Sequence, residues 1–179
     1  LEKAKSLLDE AGLTPDDDGV RFSMTIDYIP GGIEVGRNLV EYMRSQLKQI
    51  GIEVEVRTSP DFQTWAKRIS SYAFDVTQDL VVNWSDPVIG VNRTYVSSNI
   101  RPGVIWSNTQ QYENARVDEI LEAAAIETDP VKRAALYKEF QQIVVSDAPI
   151  LYLSEMPYTI AHKDSMDGIP TGIWGPASP

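Results

Sequence analysis

Phe22, Met24, Ile26 and Tyr28 alternate with Arg21, Ser23, Thr25 and Asp27, the two-residue period of a strand with one buried face. Ahead of it, Ala4, Leu7, Leu8 and Ala11 fall on one stripe of a helix over 1–11, which Gly12 closes as a left-handed cap. Residues 13–20 make a turn-rich loop, and its acidic run Asp16-Asp17-Asp18 reads as a solvated turn. Beyond Pro30-Gly31-Gly32 the period lengthens. Val35, Leu39, Val40, Met43, Leu47 and Ile50 recur at helical spacing, and Gly51 ends that helix. Ile52, Val54 and Val56 alternate as a second strand. Ser59 is the predicted cap of the next helix, with Pro60 at its first position and Phe62, Trp65 and Ile69 as its apolar stripe. A third strand is predicted over 74–82, where Leu80-Val81-Val82 points to an end buried on both faces.

The order is β-α-β-α-β with short connections. Right-handed crossovers make the three strands parallel, with helices packed on the sheet. Ligands in such sheets sit beyond the carboxyl ends of the strands, which directs attention to the loops 28–34, 59–62 and 83 onward. Residues 83–113 show neither helical nor strand period, and a loop of that length in a compact domain is functional or disordered. Its tryptophans and tyrosines favour the functional reading, because such rings bury themselves or stack. The candidate ligand contacts are Asn83, Trp84, Asp86, Arg93, Trp106 and Tyr112 in that loop, with Tyr28 at the end of the first strand. Trp84 offers an apolar platform, and Asn83 and Asp86 offer directional hydrogen bonds. The competing reading makes Trp84 a core plug beneath the loop.

The rest of the chain turns helical. Asn114 precedes a helix carrying Val117, Ile120, Leu121 and Ala124. Asp129 caps another, with Pro130 at its first position and a stripe of Ala134, Tyr137, Phe140, Ile143 and Val144. Asp147-Ala148-Pro149 ends it. Short strands are predicted over 150–153 and 158–162, followed by a tail rich in Gly and Pro.

Composition then removes whole classes of function. The net charge of −10 repels a nucleic-acid backbone. The absence of cysteine excludes thiolate catalysis, CxxC redox chemistry and zinc–cysteine sites. The one histidine, His162, reads as a surface residue at a strand end. No dinucleotide fingerprint, phosphate-binding loop or nucleophile elbow is present. No carboxylate spacing suggests a metal site, so neither metal nor cofactor is expected. Asp75, Asp79 and Asp86 lie in or after the third strand, but the sequence cannot converge them on one bond. The chain reads as a binder, not an enzyme. It begins at Leu1 without an apolar leader, has no run long enough for a membrane span, and reads as a piece of a longer protein.

Several segments together carry a resemblance. They are AKSLLDEAG, LKQIGIEVEV, WAKRI followed by YAFDV, WSDP, YENARVDEIL, DPVKRAALYKEFQQ and DAPILYL, in that order along the chain. Taken together the chain resembles the family 5 extracellular solute-binding proteins, the oligopeptide and dipeptide receptors of ABC importers. The resemblance implies a type II periplasmic-binding-protein fold, α/β throughout, with a mainly parallel sheet flanked by helices and further C-terminal helices and short strands. It implies that 1–179 is a single domain, the C-terminal lobe of a two-lobed receptor whose N-terminal lobe lies outside. It implies a periplasmic protein, or an extracellular one anchored to the membrane through its parent, that binds a peptide or small polar solute between the lobes. The partners implied are that solute, the missing lobe and the importer's membrane permease, with no nucleic acid and no insertion into the bilayer.

One departure stands out. Receptors of this kind hold the peptide's α-amino group with an aspartate in a pattern like W-x-x-D-x-x-[DE]-P. Counted back from Asp86-Pro87 that position falls on Asn83, and counted forward from Phe74-Asp75 it falls on Trp84. Sugars, opines and modified peptides therefore stay open as ligands. The alternatives are an α/β hydrolase using carboxylates of the long loop, and an interaction module docking another protein through an exposed apolar face.

Overall fold

A computed structural model of the chain describes residues 1–31, 34–81, 86–155 and 161–169, with Glu34 described in its backbone alone. The chain divides into two compact units, one from Leu1–Val82 and Arg93–Asn114, the other from Asn83–Asn92 and Ala115–Pro179.

The first unit opens with helix α1, Glu2–Glu10. Gly12, at φ +77°, ends it in a Schellman turn: Leu13 N–H donates to Leu8 O at 2.9 Å and Gly12 N–H to Asp9 O at 3.0 Å. The acidic turn that follows is self-contained, with Asp16 Oδ1 accepting from the amides of Asp18 and Val20. Strands β1 (Phe22–Tyr28), β2 (Ile52–Arg57) and β3 (Val76–Gln78) form a parallel sheet in the order β2-β1-β3. The register runs from Phe22 opposite Ile52 to Asp27 opposite Arg57 on one side of β1. On the other it runs from Ile26 opposite Val76 to Tyr28 opposite Gln78. Helix α2, Glu34–Lys48, joins β1 to β2, and α3, Phe62–Ser70, joins β2 to β3. The two crossovers leave in opposite directions across the sheet, so right-handedness places α2 and α3 on opposite faces.

The alternation in β1 explains what each face becomes. Ile26, on the face of Met24 and Tyr28, is fully buried, as is Val40 of α2, which packs on β1 and β2. Asp27, on the opposite face, is also fully buried. A bare carboxylate there would cost several kcal/mol. Two arginines offset that cost: Arg57, its neighbour across the ladder, with Nη2 2.7 Å from Oδ2, and Arg68 of α3, with Nη1 at 2.5 Å from Oδ1. Arg57 also donates to Ala73 O at 2.7 Å, so one acid ties β1, β2, α3 and the approach to β3 together. Trp65 and Ile69 of α3 are fully buried on that side, and the Trp65 indole donates to Thr77 Oγ1 of β3 at 3.3 Å.

Three expectations need correction here. The third strand is three residues long rather than the span 74–82. Asp75 takes the Thr25 amide and hydroxyl with one carboxylate oxygen, each at 2.8 Å, in place of a ladder bond. Asp79 turns its own carboxylate onto the Leu80 amide, and Leu80 is exposed rather than buried on both faces. The cap of α3 is Asp61, not Ser59: its carboxylate accepts from Thr64 N–H at 2.7 Å, a charged acceptor at the positive end of the helix, and Pro60 precedes the cap. The region 83–113 is not one long loop. Helix α4 spans Pro87–Tyr95 and a single 3₁₀ turn spans Ser97–Asn99. Asp86-Pro87 starts α4 as Asp129-Pro130 starts the last helix, with Asp86 Oδ1 accepting from Val88 N–H at 2.9 Å. The division between the units falls inside α4.

In the second unit, α5 (Ala115–Ile126) packs against α6 (Pro130–Asp147). Val117, Ile120, Leu121 and Ala124 are buried on α5, and Phe140 and Val144 on α6. Ala134, expected in the α6 stripe, is exposed. Asp129 caps α6 by accepting from the amides of Val131 and Lys132, and Ala148, at φ +49°, ends it. Among the described residues no strand forms over 150–153: Leu151, Tyr152 and Leu153 are exposed coil. Of the strand expected over 158–162, residues 158–160 lie outside the described residues, and Ala161 and His162 are exposed coil.

Two substitutions test this account. Asp27→Asn strips both arginines of their anion and should cost about 3 kcal/mol in urea unfolding; a loss below about 1 kcal/mol would mean the triad is not structural. Gly51 has φ +82°, and a Cβ there would stand 2.8 Å from Gly19 O, so Gly51→Ala is expected to lower the same unfolding midpoint. An unchanged midpoint would contradict the close approach.

Candidate functional site

The order β2-β1-β3 creates a switch point between β1 and β3, where the chain leaves neighbouring strands toward opposite faces and opens a crevice at their carboxyl ends. The register puts Tyr28 and Gln78 side by side as the last pair of that ladder. Gln78 Nε2 donates to Asp79 O at 3.5 Å, while its buried Oε1 has no partner among the described residues. Asp79 follows at once. Strand and helix geometry therefore deliver polar groups to one end of the sheet.

Aromatic rings wall the α3 side of that end. Phe62, the first residue of α3, lies 5.6 Å between centroids from Trp65 below it and 5.6 Å from Trp106 beside it, with interplanar angles of 43° and 39°. Trp65 is buried, whereas Phe62 and Trp106 are 39% and 41% exposed, so the ladder rises from the core to an open surface. The Trp106 indole donates to Asp79 Oδ1 at 3.4 Å, and the Leu80 amide donates to the same oxygen at 2.6 Å. Burial pushes the Asp79 carboxyl up to about 6, against the pull of these two donors. A hollow of about 380 Å³ continues along α3 from Phe62, past Ala66, Lys67 and Ser70, to Gly103 and Ile105. A larger one, about 680 Å³, runs along the charged outer edge of β2 by Arg44, Lys48, Glu53 and Glu55. The smaller hollow is the relevant one, because it adjoins the aromatic wall at the strand ends.

Trp106 is held out by a rigid loop. Asn108 is fully buried; its Nδ2 donates to Val96 O at 3.2 Å and to Tyr112 O at 2.8 Å, and its Oδ1 accepts from Tyr112 N–H at 2.9 Å. Ser107 Oγ donates to Asn99 O, Gln110 Nε2 to Thr94 O at 2.6 Å, and Gly103 N–H to Ser70 O at 2.8 Å. These bonds fix Trp106 at φ +55°, a conformation that costs a bulky residue about 1 kcal/mol.

The candidate residues fall into separate places. Tyr28 and Trp106 stand at the carboxyl end of the first unit's sheet and its wall. Tyr112 packs edge-on against Tyr95 at 6.1 Å, inside the loop that Asn108 organises. Arg93 is half-buried on α4. Asp86 belongs to the second unit, where the Val88 amide and the Arg133 guanidinium, 2.8 Å away, hold its carboxyl below the usual range. Arg133 in turn lies over the Tyr137 ring and donates to Ala124 O at 3.0 Å, which makes this a packing node of the helices. Asn83 and Trp84 lie outside the described residues. Sequence reading passed over Phe62, counted as core, and Asp79, counted as one of three scattered acids; the pairing of a strand-end acid with a distant tryptophan has no local signature.

Asp75, Asp79 and Asp86 are each engaged separately, by Thr25, Trp106 and Arg133. The carboxylate-hydrolase reading is not supported. Among the described residues no group of three acidic or imidazole side chains could hold a metal, and no helix is long and apolar enough to cross a membrane.

The α/β arrangement, an open parallel sheet flanked by helices with a switch point at its carboxyl ends, is the fold of type II periplasmic binding proteins. The chain belongs to the bacterial extracellular solute-binding proteins, family 5, matching that family's middle region over residues 1–103. It is 31% identical to protein XP55 of Streptomyces lividans over 98% of this chain and 32% of that protein. It is 30% identical to the probable D,D-dipeptide-binding periplasmic protein DdpA of Escherichia coli over 70% of this chain and 24% of that protein. The structure of the oligopeptide-binding protein AppA of Bacillus subtilis in complex with a nonapeptide superposes with a TM-score of 0.65 at 26% identity, over 83% of this chain and 30% of that one. The chain thus spans about a third or less of the length of these relatives. Members of the family are binding proteins found outside the cytoplasmic membrane.

The raised Asp79 carboxyl has a consequence for stability. Its unfolded value is near 3.8 and its folded value about 6, so its contribution is fully present below the first and lost as pH rises through the second. Asp79→Asn should therefore stabilise the fold by about 1–2 kcal/mol near pH 7.5 and by nothing near pH 4. Urea unfolding at both pH values checks the sign; equal effects at the two would rule out the burial account.

Proposed function

We propose that the chain is the C-terminal lobe, 1–179, of a two-lobed receptor that delivers a solute to the membrane permease of an ABC importer. The observation that carries this reading is the aromatic and polar wall at the sheet's switch point, in a chain of the family 5 solute-binding proteins. Tyr28 and Trp106 contact the solute from the first unit; Asn83, Trp84, Asp86, Arg93 and Tyr112 are candidate contacts by their sequence positions. An N-terminal lobe supplies the other wall and closes over the solute by a hinge. The protein works in the periplasm, or outside the cell on a membrane anchor, and has no catalytic activity of its own.

Relatives guide the solute class. The name of DdpA specifies D,D-dipeptides, and AppA holds a nonapeptide. A peptide or another small polar solute suits an apolar wall with few directional groups.

Calorimetry distinguishes this reading from a self-sufficient binding domain. The whole protein carrying this chain should bind its solute at least about tenfold more tightly than the 179-residue chain does, since half the contacts are lost. Trp106→Ala in the whole protein should weaken binding by about 1–2 kcal/mol. Equal affinity of chain and whole protein would defeat the two-lobe reading, and an unaffected Trp106→Ala would remove that ring from the site.

A further inference from the structure

The Asp79 side chain is half-buried, and that burial raises its carboxyl, yet among the described residues no cationic side chain pairs with it; its partners are the Leu80 amide and the Trp106 indole, both on Oδ1. A carboxylate in that state is stabilised by any positive charge that can reach it without bringing a full hydration shell. What stands beside it is the indole of Trp106, a partly exposed residue backed by Phe62 at 5.6 Å. Donation of the indole N–H to a carboxylate enriches the ring's π face and fixes its orientation, and tryptophan is the strongest cation–π acceptor among side chains. Carboxylate and ring thus offer one cation two complementary attractions.

The kind of cation follows from the acceptors left over. A guanidinium binds a carboxylate best through both oxygens at once, and Oδ1 already receives two donors. A primary ammonium carries three donors and needs acceptors to replace its water. The Oε1 of Gln78, without a partner among the described residues, does not supply one, because the atom is buried and closed to a group arriving from solvent. An alkylated ammonium has no N–H to satisfy and sheds its water cheaply. We propose that Asp79 and Trp106, with Phe62 behind, form a subsite for a quaternary ammonium group of the solute. This rests on the reading of the strand ends as the solute site, and it gives this lobe a specificity residue, Asp79, where the expected amine-holding position carries Asn83 or Trp84.

Bare cations test the subsite on the 179-residue chain without the second lobe or the transported solute. The Trp106 indole N–H resonance, assigned through Trp106→Phe, is followed near pH 7.5 against tetramethylammonium, guanidinium and methylammonium chlorides, with sodium chloride as the salt control. Tetramethylammonium should give a saturable shift, bound at least about threefold more tightly than the other two cations. Asp79→Asn keeps an oxygen for Leu80 and Trp106 but loses the charge, and should weaken that binding at least about fivefold. Trp106→Leu should abolish saturation transfer from the protein to the tetramethylammonium methyl protons. A shift no different from that of sodium chloride, a preference for methylammonium or guanidinium, or binding unchanged in Asp79→Asn overturns the proposal. None of those outcomes touches the two-lobe reading, which the calorimetry of the whole protein decides separately.

Discussion

Everything in the first unit is arranged around a charge that should not be there. Asp27 sits with no exposed surface on the centre strand, on the face that α3 covers. Its partners Arg57 and Arg68 remain 29% and 23% exposed, so their heads keep some water while their stems seal the acid below. Arg57 then reaches Ala73 O and sets where the chain enters β3. The third strand's three residues are enough because its ends are placed by side chains, Arg57 and Asp75 on one side and Asp79 on the other. A polar cluster thus does what a longer hydrophobic ladder does in other sheets, and it fixes the switch point on which the site depends.

Much of this could be read along the chain. The β-α-β-α-β order, the parallel sheet and the helices α5 and α6 follow from period and caps, and Asp129-Pro130 marks the start of α6 to the residue. The misses share a physical cause. Strand length was judged from apolar runs, but Leu80 stays exposed because Asp79's own carboxylate ends the pairing. Helix α4 carried the same Asp-Pro start as α6, yet Pro87–Tyr95 is short and rich in β-branched residues, so no stripe announced it. Ser59 yielded to Asp61 as a cap because a charged acceptor outcompetes a hydroxyl two residues away. Of the candidate site, Tyr28 and Trp106 could be named from their position and ring chemistry, whereas Asp79 gained meaning only when a residue 27 positions later closed on it. Contacts of that separation leave no periodic trace.

The family assignment and the packing lead to the same division of labour. The described parts of the second unit include two helices and a capped helix start, held by Asp86, Arg133 and the α5–α6 core. The first unit carries the exposed aromatic pair and the buried acid. The fold recurs around solutes as different as the nonapeptide of AppA and the nickel–histidine complex held by NikZ of Campylobacter jejuni, whose structure superposes with a TM-score of 0.71. At 22% identity that likeness concerns the fold alone. A sheet whose integrity depends on Asp27 can change the residues at its rim without changing its frame.

Trp106 shows how the two demands meet at one residue. Its backbone lies where glycine is at ease and a tryptophan is not, and the buried amide of Asn108 anchors the loop that keeps it there. Relieving the backbone and keeping the ring are therefore opposed aims at position 106. Any lineage that trades the indole for a smaller residue relaxes the loop as it discards the wall, so this aromatic rim is easier to lose than to regain.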